Sequence, residues 1–389
     1  MFDEDQDIKA IQEAIKALCL KFPNEYWREK DRTRTYPTEF VKSLSNQGYL
    51  GCLIPEEYGG SGLSLRAAAV ILEEIHYSGG NGAACHAQMY IMGTLLRHGS
   101  DEQKKRYLPG IADGRLRLQA FGVTEPSSGT DTLALKTTAR KDGDFYIING
   151  QKVWTSRAEH SDLMLLLART THREKVEKRT DGLSVFIVDM RNANGNGLTI
   201  RPIRTMINHA TTEVFFDDLR VPRENLIGEE GKGFPYIMQH FALERLIMGI
   251  NAHARAEFAV DYAIDYMKER TAFGKSLDKF QALRHKIAEM ASEVEMCKEF
   301  NYSITKRLND GDYVVKEASM SKLLSTKMAD EVIYDALQLL GGYGYMEDYP
   351  MARLLRDSRL GPIGGGTSEI LKEIIAKMII DGKEYKPAT

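Results

Sequence analysis

The spacing of apolar residues changes twice along this chain, and this change constrains the fold more than any other feature. Over residues 1–117 apolar residues recur at helical spacing, in runs such as "SLRAAAVILEEIHYSG" and "AACHAQMYIMGTLLRHG". Residues 118–228 carry short strand-like runs instead, namely "FYIINGQKVWTS", "DLMLLLART", "LSVFIVDM", "LTIRPI" and "TEVFFDDLRV". The helical spacing returns over residues 229–389, with long segments at 234–269 and 316–341. We therefore expect three domains in the order helical, β and helical bundle.

Charge and cysteine usage exclude several classes of protein. The net charge of the 389 residues is −3, which does not favour binding to nucleic acid or to an anionic membrane. No apolar run reaches the length of a membrane span, and the acidic N-terminus lacks the pattern of a signal peptide. The four cysteines are far apart and form no metal-spaced pair, so we expect no metal, reduced thiols and a cytoplasmic location. Neither a GxxxxGK[ST] motif nor a GxGxxG motif after a strand is present.

Three short stretches have the composition of loops that contact ligands. "FGVTEPSSGTD" (121–131) would expose backbone and hydroxyl donors to a planar ligand, or it would be a surface turn. Trp154, near the end of a strand, is either a core residue or a platform for a ligand. "GPIGGGTSEI" (361–370) allows a close approach of a ligand before a helix, or it is a loop with Thr367 as the N-cap.

Glu244 lies on an apolar face of a predicted helix. Its helical neighbours are Phe241, Ile247 and Met248. A carboxylate is costly to bury unless it is paired or used. Desolvation would raise its pKa toward the working pH, which suits a general base. The alternative is that Arg245 or another cation only pairs with Glu244 inside the bundle.

Seven motifs together resemble those of the acyl-CoA dehydrogenase family, in the same order and spacing along nearly the whole chain. They are "IPEEYGGSG", "FGVTEPSSGTD", "INGQKVWTS", "VFFDDLRVP", "ERTAFGKSLDKFQ", "QLLGGYGYMEDYP" and "GGGTSEI". The resemblance implies an α+β multidomain fold: an all-α N-terminal domain, a middle β-barrel-like domain and a C-terminal four-helix bundle. It also implies FAD between the middle and C-terminal domains, an acyl-CoA substrate, a homotetramer and an electron-transferring flavoprotein as electron acceptor.

The resemblance further implies roles for individual residues, which the motifs carry over position by position. Residues implied to contact FAD are Phe121, Val123, Thr124, Trp154, Ser156, Arg270, Phe273, Gln281, Gln338, Gly342, Thr367 and Glu369. Several of these, including Arg270, Phe273, Gln281, Gln338 and Gly342, would contact FAD held largely by a neighbouring subunit. Thr130, Arg245 and Gly366 are implied to lie near the thioester or the CoA moiety.

One position departs from the pattern that many family members share. Many members carry a catalytic glutamate immediately before the "GT" of the last motif, where this chain has Gly365. A smaller branch, which includes isovaleryl-CoA and long-chain dehydrogenases, carries the glutamate on an earlier helix, as Glu244 does in "FALERLIMG". Glycine at 365 keeps the backbone N–H that holds the thioester oxygen in the family, so we expect Gly365 to serve as the oxyanion donor. Glu244 would then remove the α-proton.

The sequence therefore predicts dehydrogenation of an acyl-CoA to a trans-2-enoyl-CoA, as in fatty-acid β-oxidation. Glu244 would abstract the α-proton, and the flavin would accept the β-hydride. Two other functions remain open on the residues alone. One is an acyl-CoA oxidase or flavin monooxygenase on the same fold. The other is a catalytically silent acyl-CoA-binding protein. The length and branching of the acyl chain are left open.

Overall fold

A computed structural model describes residues 4–383 of the chain. Helices dominate both ends of the described chain, and the strands are concentrated between them. The helices are α1 (Glu4–Cys19), α2 (Asn24–Thr33), α3 (Thr38–Asn46), α4 (Leu65–Tyr77), α5 (Ala83–His98), α6 (Asp101–Ala112), α7 (Gly233–Glu269), α8 (Gln281–Asn309), α9 (Val315–Leu340), α10 (Pro350–Ser358) and α11 (Ser368–Ile379). Within this part of the chain no helix has the length and hydropathy that crossing a membrane requires.

The strands occur where the apolar spacing changes from helical to alternating. They are β1 (Leu118–Gly122), β2 (Thr138–Asp142), β3 (Phe145–Ser156), β4 (Leu163–Arg169), β5 (Leu183–Asp189), β6 (Leu198–Pro202), β7 (Thr211–Pro222) and β8 (Leu226–Ile227), followed by the short hairpin β9 (Thr271–Ala272) and β10 (Lys275–Ser276). The predicted strand runs at β3, β4, β5 and β7 and the long helices α7 and α9 are confirmed.

The chain folds into two compact units. The first unit is helical, and its described parts are residues 4–34, 64–82 and 242–383. The second unit contains residues 35–63 and 83–241, and it holds the large sheet. The three domain boundaries expected from the apolar spacing stay a prediction.

An eight-stranded sheet forms the centre of the second unit. Its order is β6-β7-β3-β2-β4-β5-β8, with β1 paired in parallel to β4. Strand β4 is buried along its whole length, as expected for a continuous apolar run in a covered sheet. Helix α5 packs against β1 and thereby covers this part of the sheet. Two irregularities in the β3–β7 pairing bend the strand that ends at Ser156.

The first unit is built from long helices packed along their apolar faces. Its main core lies between α7, α8, α9 and α10. The core is rich in methionine and in alanine, and the small alanine side chains allow close approach of the helix backbones. Helix α11 packs on α9. The glycine-rich segment between α10 and α11 therefore lies at the edge of this helical core, beside α9.

Candidate functional site

The glycine-rich loop before α11 is closed locally by its own backbone. Ser368 N–H donates to Pro362 O at 3.0 Å, and the Thr367 hydroxyl accepts from Ile370 N–H at 3.4 Å, which confirms Thr367 as the N-cap of α11. Gly365 and Gly366 have φ angles of +61° and +96°, a region that favours glycine. The backbone conformation of the loop therefore favours glycine at the last two positions of the triplet.

Glu244 on α7 faces this loop. A Cβ atom at position 365 would lie 3.5 Å from Glu244 Oε1 and 2.7 Å from Met248 Sδ. Among residues 4–383 none accepts a hydrogen bond from the Gly365 N–H. An unpaired backbone N–H and a carboxylate thus both lie close to the position that a Cβ atom at residue 365 would take.

The pKa of Glu244 is raised to about 7. Desolvation by burial is the main cause, and the charges of Arg245 and Lys322 oppose it. The side chain is half-buried, so it combines a desolvated carboxyl with a route to solvent or ligand. A carboxyl with a pKa near neutrality can accept a proton and release it again, which is what a general base requires.

Lys322 on α9 is a functional candidate that the sequence analysis did not find. Its side chain is fully buried, and its Nζ donates to the Gly366 carbonyl at 2.6 Å. Burial lowers the pKa of Lys322 to about 8, while the charge of Glu244 raises it. Its position in the sequence could have indicated this role, because Lys322 lies on a face of α9 whose other members, such as Ser319 and Ser325, are small and buried.

Arg245 is also buried, on the α7 face next to Glu244. Its Nη1 donates to Ser319 Oγ at 3.2 Å, which ties α7 to α9. Its charge lowers the pKa of Glu244. A guanidinium engaged in this way holds the helix that carries Glu244, and its expected role near the thioester or CoA stays a prediction.

In the second unit, a buried ion pair holds the loop of residues 121–131. The Lys152 Nζ lies 2.9 Å from Glu125 Oε1 and 2.9 Å from the Val123 carbonyl, and Lys152 is 0% exposed. Burial alone would raise the pKa of Glu125, but the Lys152 charge and the N–H groups of Lys136 and Thr137 lower it below its usual range. The pair fixes the backbone at Val123, one of the predicted flavin contacts.

Trp154 owes its position to the irregularity near the end of β3. The β3–β7 register shifts between Lys152 and Thr155, and Trp154 has a φ of +61°. The bulge turns the indole outward, so Trp154 is 58% exposed although both of its sequence neighbours are buried. Val153 N–H donates to the Thr124 carbonyl at 2.9 Å and joins this strand to the 121–131 loop. The structure thus brings Val123, Thr124 and the end of β3 together.

The remaining predicted contacts are either exposed or half-buried. Arg270, Phe273, Gln281, Gln338 and Gly342 are all exposed on the first unit, and Phe273 is 95% exposed. The Arg270 guanidinium lies 5.8 Å from the centroid of the Tyr343 ring, next to Gly342. Thr130 lies in the exposed end of its loop, and Glu369 is exposed in the first turn of α11. Phe121 and Ser156 are half-buried.

Comparison with protein families gives a match along most of the chain. Residues 5–115 match the model described as acyl-CoA dehydrogenase, N-terminal domain. Residues 120–219 match the middle domain of the same family, and residues 231–380 match its C-terminal domain. These ranges together include every predicted site residue.

Individual proteins are also similar to this chain along most of its length. A 3-(aryl)acrylate reductase from Clostridium sporogenes is 36% identical, over 90% of this chain and 93% of that protein. The mitochondrial long-chain specific acyl-CoA dehydrogenase of Sus scrofa is 35% identical, over 98% of this chain and 88% of that protein. The crystal structure of an acyl-CoA dehydrogenase from Geobacillus kaustophilus superposes with a TM-score of 0.91 at 33% identity, covering 98% of this chain and 99% of that chain.

Proposed function

Because the chain belongs to the acyl-CoA dehydrogenase family, we propose that it oxidises an acyl-CoA to a trans-2-enoyl-CoA with FAD as the cofactor and Glu244 as the base. The observation that supports the role of Glu244 most directly is its geometry. Its carboxyl oxygen and the unpaired Gly365 N–H border the same small volume. An acyl thioester needs both groups there, one to remove the α-proton and one to stabilise the developing charge on the thioester oxygen.

The residues predicted to contact the flavin fit that group. A large aromatic ring held in an exposed position by a bulge and a positive φ is costly for a protein unless a ligand uses it, and Trp154 is such a ring. Two residues further along, Ser156 is half-buried, and among residues 4–383 its hydroxyl has one hydrogen-bond partner, Thr211 Oγ1 at 3.4 Å. When bound, the flavin would supply a two-electron acceptor for the hydride from the β-carbon.

The protein's own residues would remove the α-proton, stabilise the thioester oxygen and bind the substrate. Glu244 takes the α-proton, and its near-neutral pKa keeps a useful fraction of carboxylate at neutral pH. The Gly365 N–H donates to the thioester oxygen. Lys322 donates to the Gly366 carbonyl and so holds the glycine loop next to Gly365 in place. Thr130, Arg245 and Gly366 would contribute to binding of the thioester or the CoA moiety.

Partner and location follow from the same proposal. We propose that the reduced enzyme passes electrons to an electron-transferring flavoprotein and works as a homotetramer, as is typical of the family. A cytoplasmic location is supported by the four free cysteines, all of which are buried. The length and branching of the acyl group are to be determined with the series of acyl-CoAs in the rapid-mixing test described next.

The function is tested by rapid mixing of the purified holoenzyme with saturated acyl-CoAs in the absence of oxygen. We expect equimolar FAD per chain and bleaching of the oxidised flavin band by at least one acyl-CoA. Reoxidation should be fast with electron-transferring flavoprotein and slow with O₂. Fast reoxidation by O₂ would instead support an oxidase or monooxygenase. A flavin that no acyl-CoA reduces would support a silent binding protein and contradict the proposal.

A further inference from the structure

Met248 on α7 lies where position 365 has no side chain. A Cβ atom at residue 365 would lie 2.7 Å from the Met248 Sδ and 3.7 Å from its Cε, and 3.5 Å from Glu244 Oε1. Met248 follows Glu244 by four residues in a continuous helix, so both side chains lie on the same face of α7. The thioether and the carboxyl group therefore both border the point that the first side-chain atom at position 365 would occupy.

The same face of α7 leads from Met248 into the helical core of the first unit. Ala252 and Ala256 follow on this face and are buried in the core between α7, α8, α9 and α10. Met248 itself is half-buried. On this face of the helix, Met248 is therefore the apolar side chain between the core and the Glu244 carboxyl.

Helix α7 and the glycine loop are both held against α9, which fixes the gap that Met248 fills. One residue after Met248, a Cβ atom at Gly249 would overlap Ser321 Oγ, so the glycine allows α7 to approach α9 closely. The Lys322 Nζ donates to the Gly366 carbonyl at 2.6 Å and holds the loop on the same helix. Methionine is long and unbranched, a shape that fills an irregular gap of this kind.

The charges around Glu244 do not explain why its pKa is raised. Arg245 on α7 and Lys322 on α9 both lower that pKa, and Glu369 on α11 acts on Lys322. The rise to about 7 comes from the removal of water by burial. An apolar thioether beside the carboxyl group excludes water from that side, so Met248 contributes to this desolvation.

We propose that Met248 is a positioning residue that takes the place of the side chain missing at position 365 and shields the Glu244 carboxyl from water. A glutamate at position 365 and a methionine at position 248 would compete for the same volume. The residue at 248 and the element that carries the base are therefore coupled. The use of Glu244 as a base rests on the proposed dehydrogenase function, whereas the shielding is a property of the folded chain.

The first test is the pH dependence of flavin reduction by an acyl-CoA, measured on the holoenzyme. Met248→Ala leaves room for water, and Met248→Gln places a hydrogen-bonding amide beside the carboxylate. Both should lower the pKa of Glu244 and move the rising limb of the profile to lower pH by about one unit. The plateau rate should fall, because the base becomes weaker.

Two further variants distinguish shielding from a general loss of structure. Met248→Leu keeps an apolar side chain of similar volume and should retain the wild-type profile. Met296→Ala removes an exposed methionine of α8 and should change neither the profile nor the plateau. A limb that stays in place in Met248→Ala, or that moves as far in Met248→Leu, would overturn the inference and leave the dehydrogenase function intact.

Moving the base should reverse the sign of the effect of Met248→Ala. In a chain that carries Glu244→Gly and Gly365→Glu, the new side chain has to displace the Met248 thioether. Adding Met248→Ala to this double variant should raise the rate of flavin reduction by about tenfold, because overpacking is relieved. A rate that is unchanged or lower would show that Met248 does not occupy the place of the missing side chain.

Thermal unfolding gives a readout that needs no substrate. Above the pKa of Glu244, Glu244→Gln should melt at a higher temperature than the wild type, because the folded chain no longer holds a desolvated carboxylate. This difference should shrink when both chains carry Met248→Ala, since water then reaches the carboxyl group. It should persist when both carry Met248→Leu. An equal difference in the two backgrounds would overturn the inference even for a protein whose flavin no acyl-CoA reduces.

Discussion

At the scale of single residues, Glu244 and Gly365 form a complementary pair. The carboxyl group is desolvated, and Gly365 places no side chain beside it, where a Cβ atom would lie 3.5 Å from Glu244 Oε1 and 2.7 Å from Met248 Sδ. Glu244→Gln keeps the shape of the side chain and removes its basicity, so flavin reduction should slow by about 10²–10⁴-fold. In the wild type the rate should rise with pH through about 7 and level off above it, because the base must be ionised. Rapid-mixing measurements across pH test both expectations, and wild-type rates in the variant would exclude Glu244 as the base.

Thermal unfolding of the same variant distinguishes loss of chemistry from loss of structure. The folded-state pKa of Glu244 is raised above its ordinary value, so ionisation opposes folding once the pH exceeds the ordinary value. Glu244→Gln should therefore melt at a higher temperature than the wild type above the Glu244 pKa. At a pH low enough to protonate the carboxyl in both states, this gain should disappear. A variant that is less stable at both values would point to a structural role.

The same geometry allows the base to be moved between two positions. Glu244→Gly combined with Gly365→Glu should recover part of the rate lost in Glu244→Gly, because both side chains reach the same volume. Recovery should be incomplete, since a φ of +61° costs a non-glycine residue about 1 kcal/mol. The matched control is Glu244→Gly with Gly366→Glu, whose Cβ would face Leu371 and Ile370 on α11. Equal recovery in both double variants, measured as flavin bleaching, would contradict the exchange.

At the scale of elements, Lys322 connects α9 to the glycine loop and to the base. Lys322→Met removes the hydrogen bond to the Gly366 carbonyl and a positive charge that lowers the pKa of Glu244. The pKa of Glu244 should therefore rise, and the rising limb of the pH–rate profile should move to higher pH. Lys327→Met removes an exposed lysine of the same helix, paired with Glu331 at 3.7 Å, and should leave the profile in place. An unchanged profile in Lys322→Met would limit Lys322 to a structural role.

At the scale of the whole molecule, exposed residues of the first unit indicate a surface that assembly or cofactor covers. Phe273 and Tyr345 are 95% and 85% exposed, and Arg270 lies beside Tyr343. Arg270→Ala should weaken retention of FAD and shift the tetramer toward smaller species, because Arg can hold a pyrophosphate by bidentate hydrogen bonds. FAD content after gel filtration and mass by light scattering measure the two effects. Arg115→Ala, an exposed arginine paired with Asp113, is the control. Full FAD and unchanged mass in Arg270→Ala would assign Arg270 another role.

The sequence by itself determined the class of each segment and the local geometry of the glycine loop. Apolar spacing is set by neighbours along the chain, so it predicted β3, β4, β5, β7 and the long helices α7 and α9 correctly. The Thr367 cap also depends only on residues close in sequence. The order and spacing of the seven motifs identified the family. The apolar neighbours of Glu244 indicated a desolvated carboxyl group, while its role as the base stays a prediction.

Only the tertiary structure determined which groups that are distant in sequence lie close together, and how this proximity changes their pKa values and hydrogen bonds. The approach of Glu244 to Gly365, the bond from Lys322 to Gly366 and the buried pair of Lys152 with Glu125 join segments with no local relation in sequence. The outward turn of Trp154 required the irregular pairing of β3 with β7. Burial and charge act through space, so pKa values and unpaired donors follow from the packing of remote elements rather than from the order of residues.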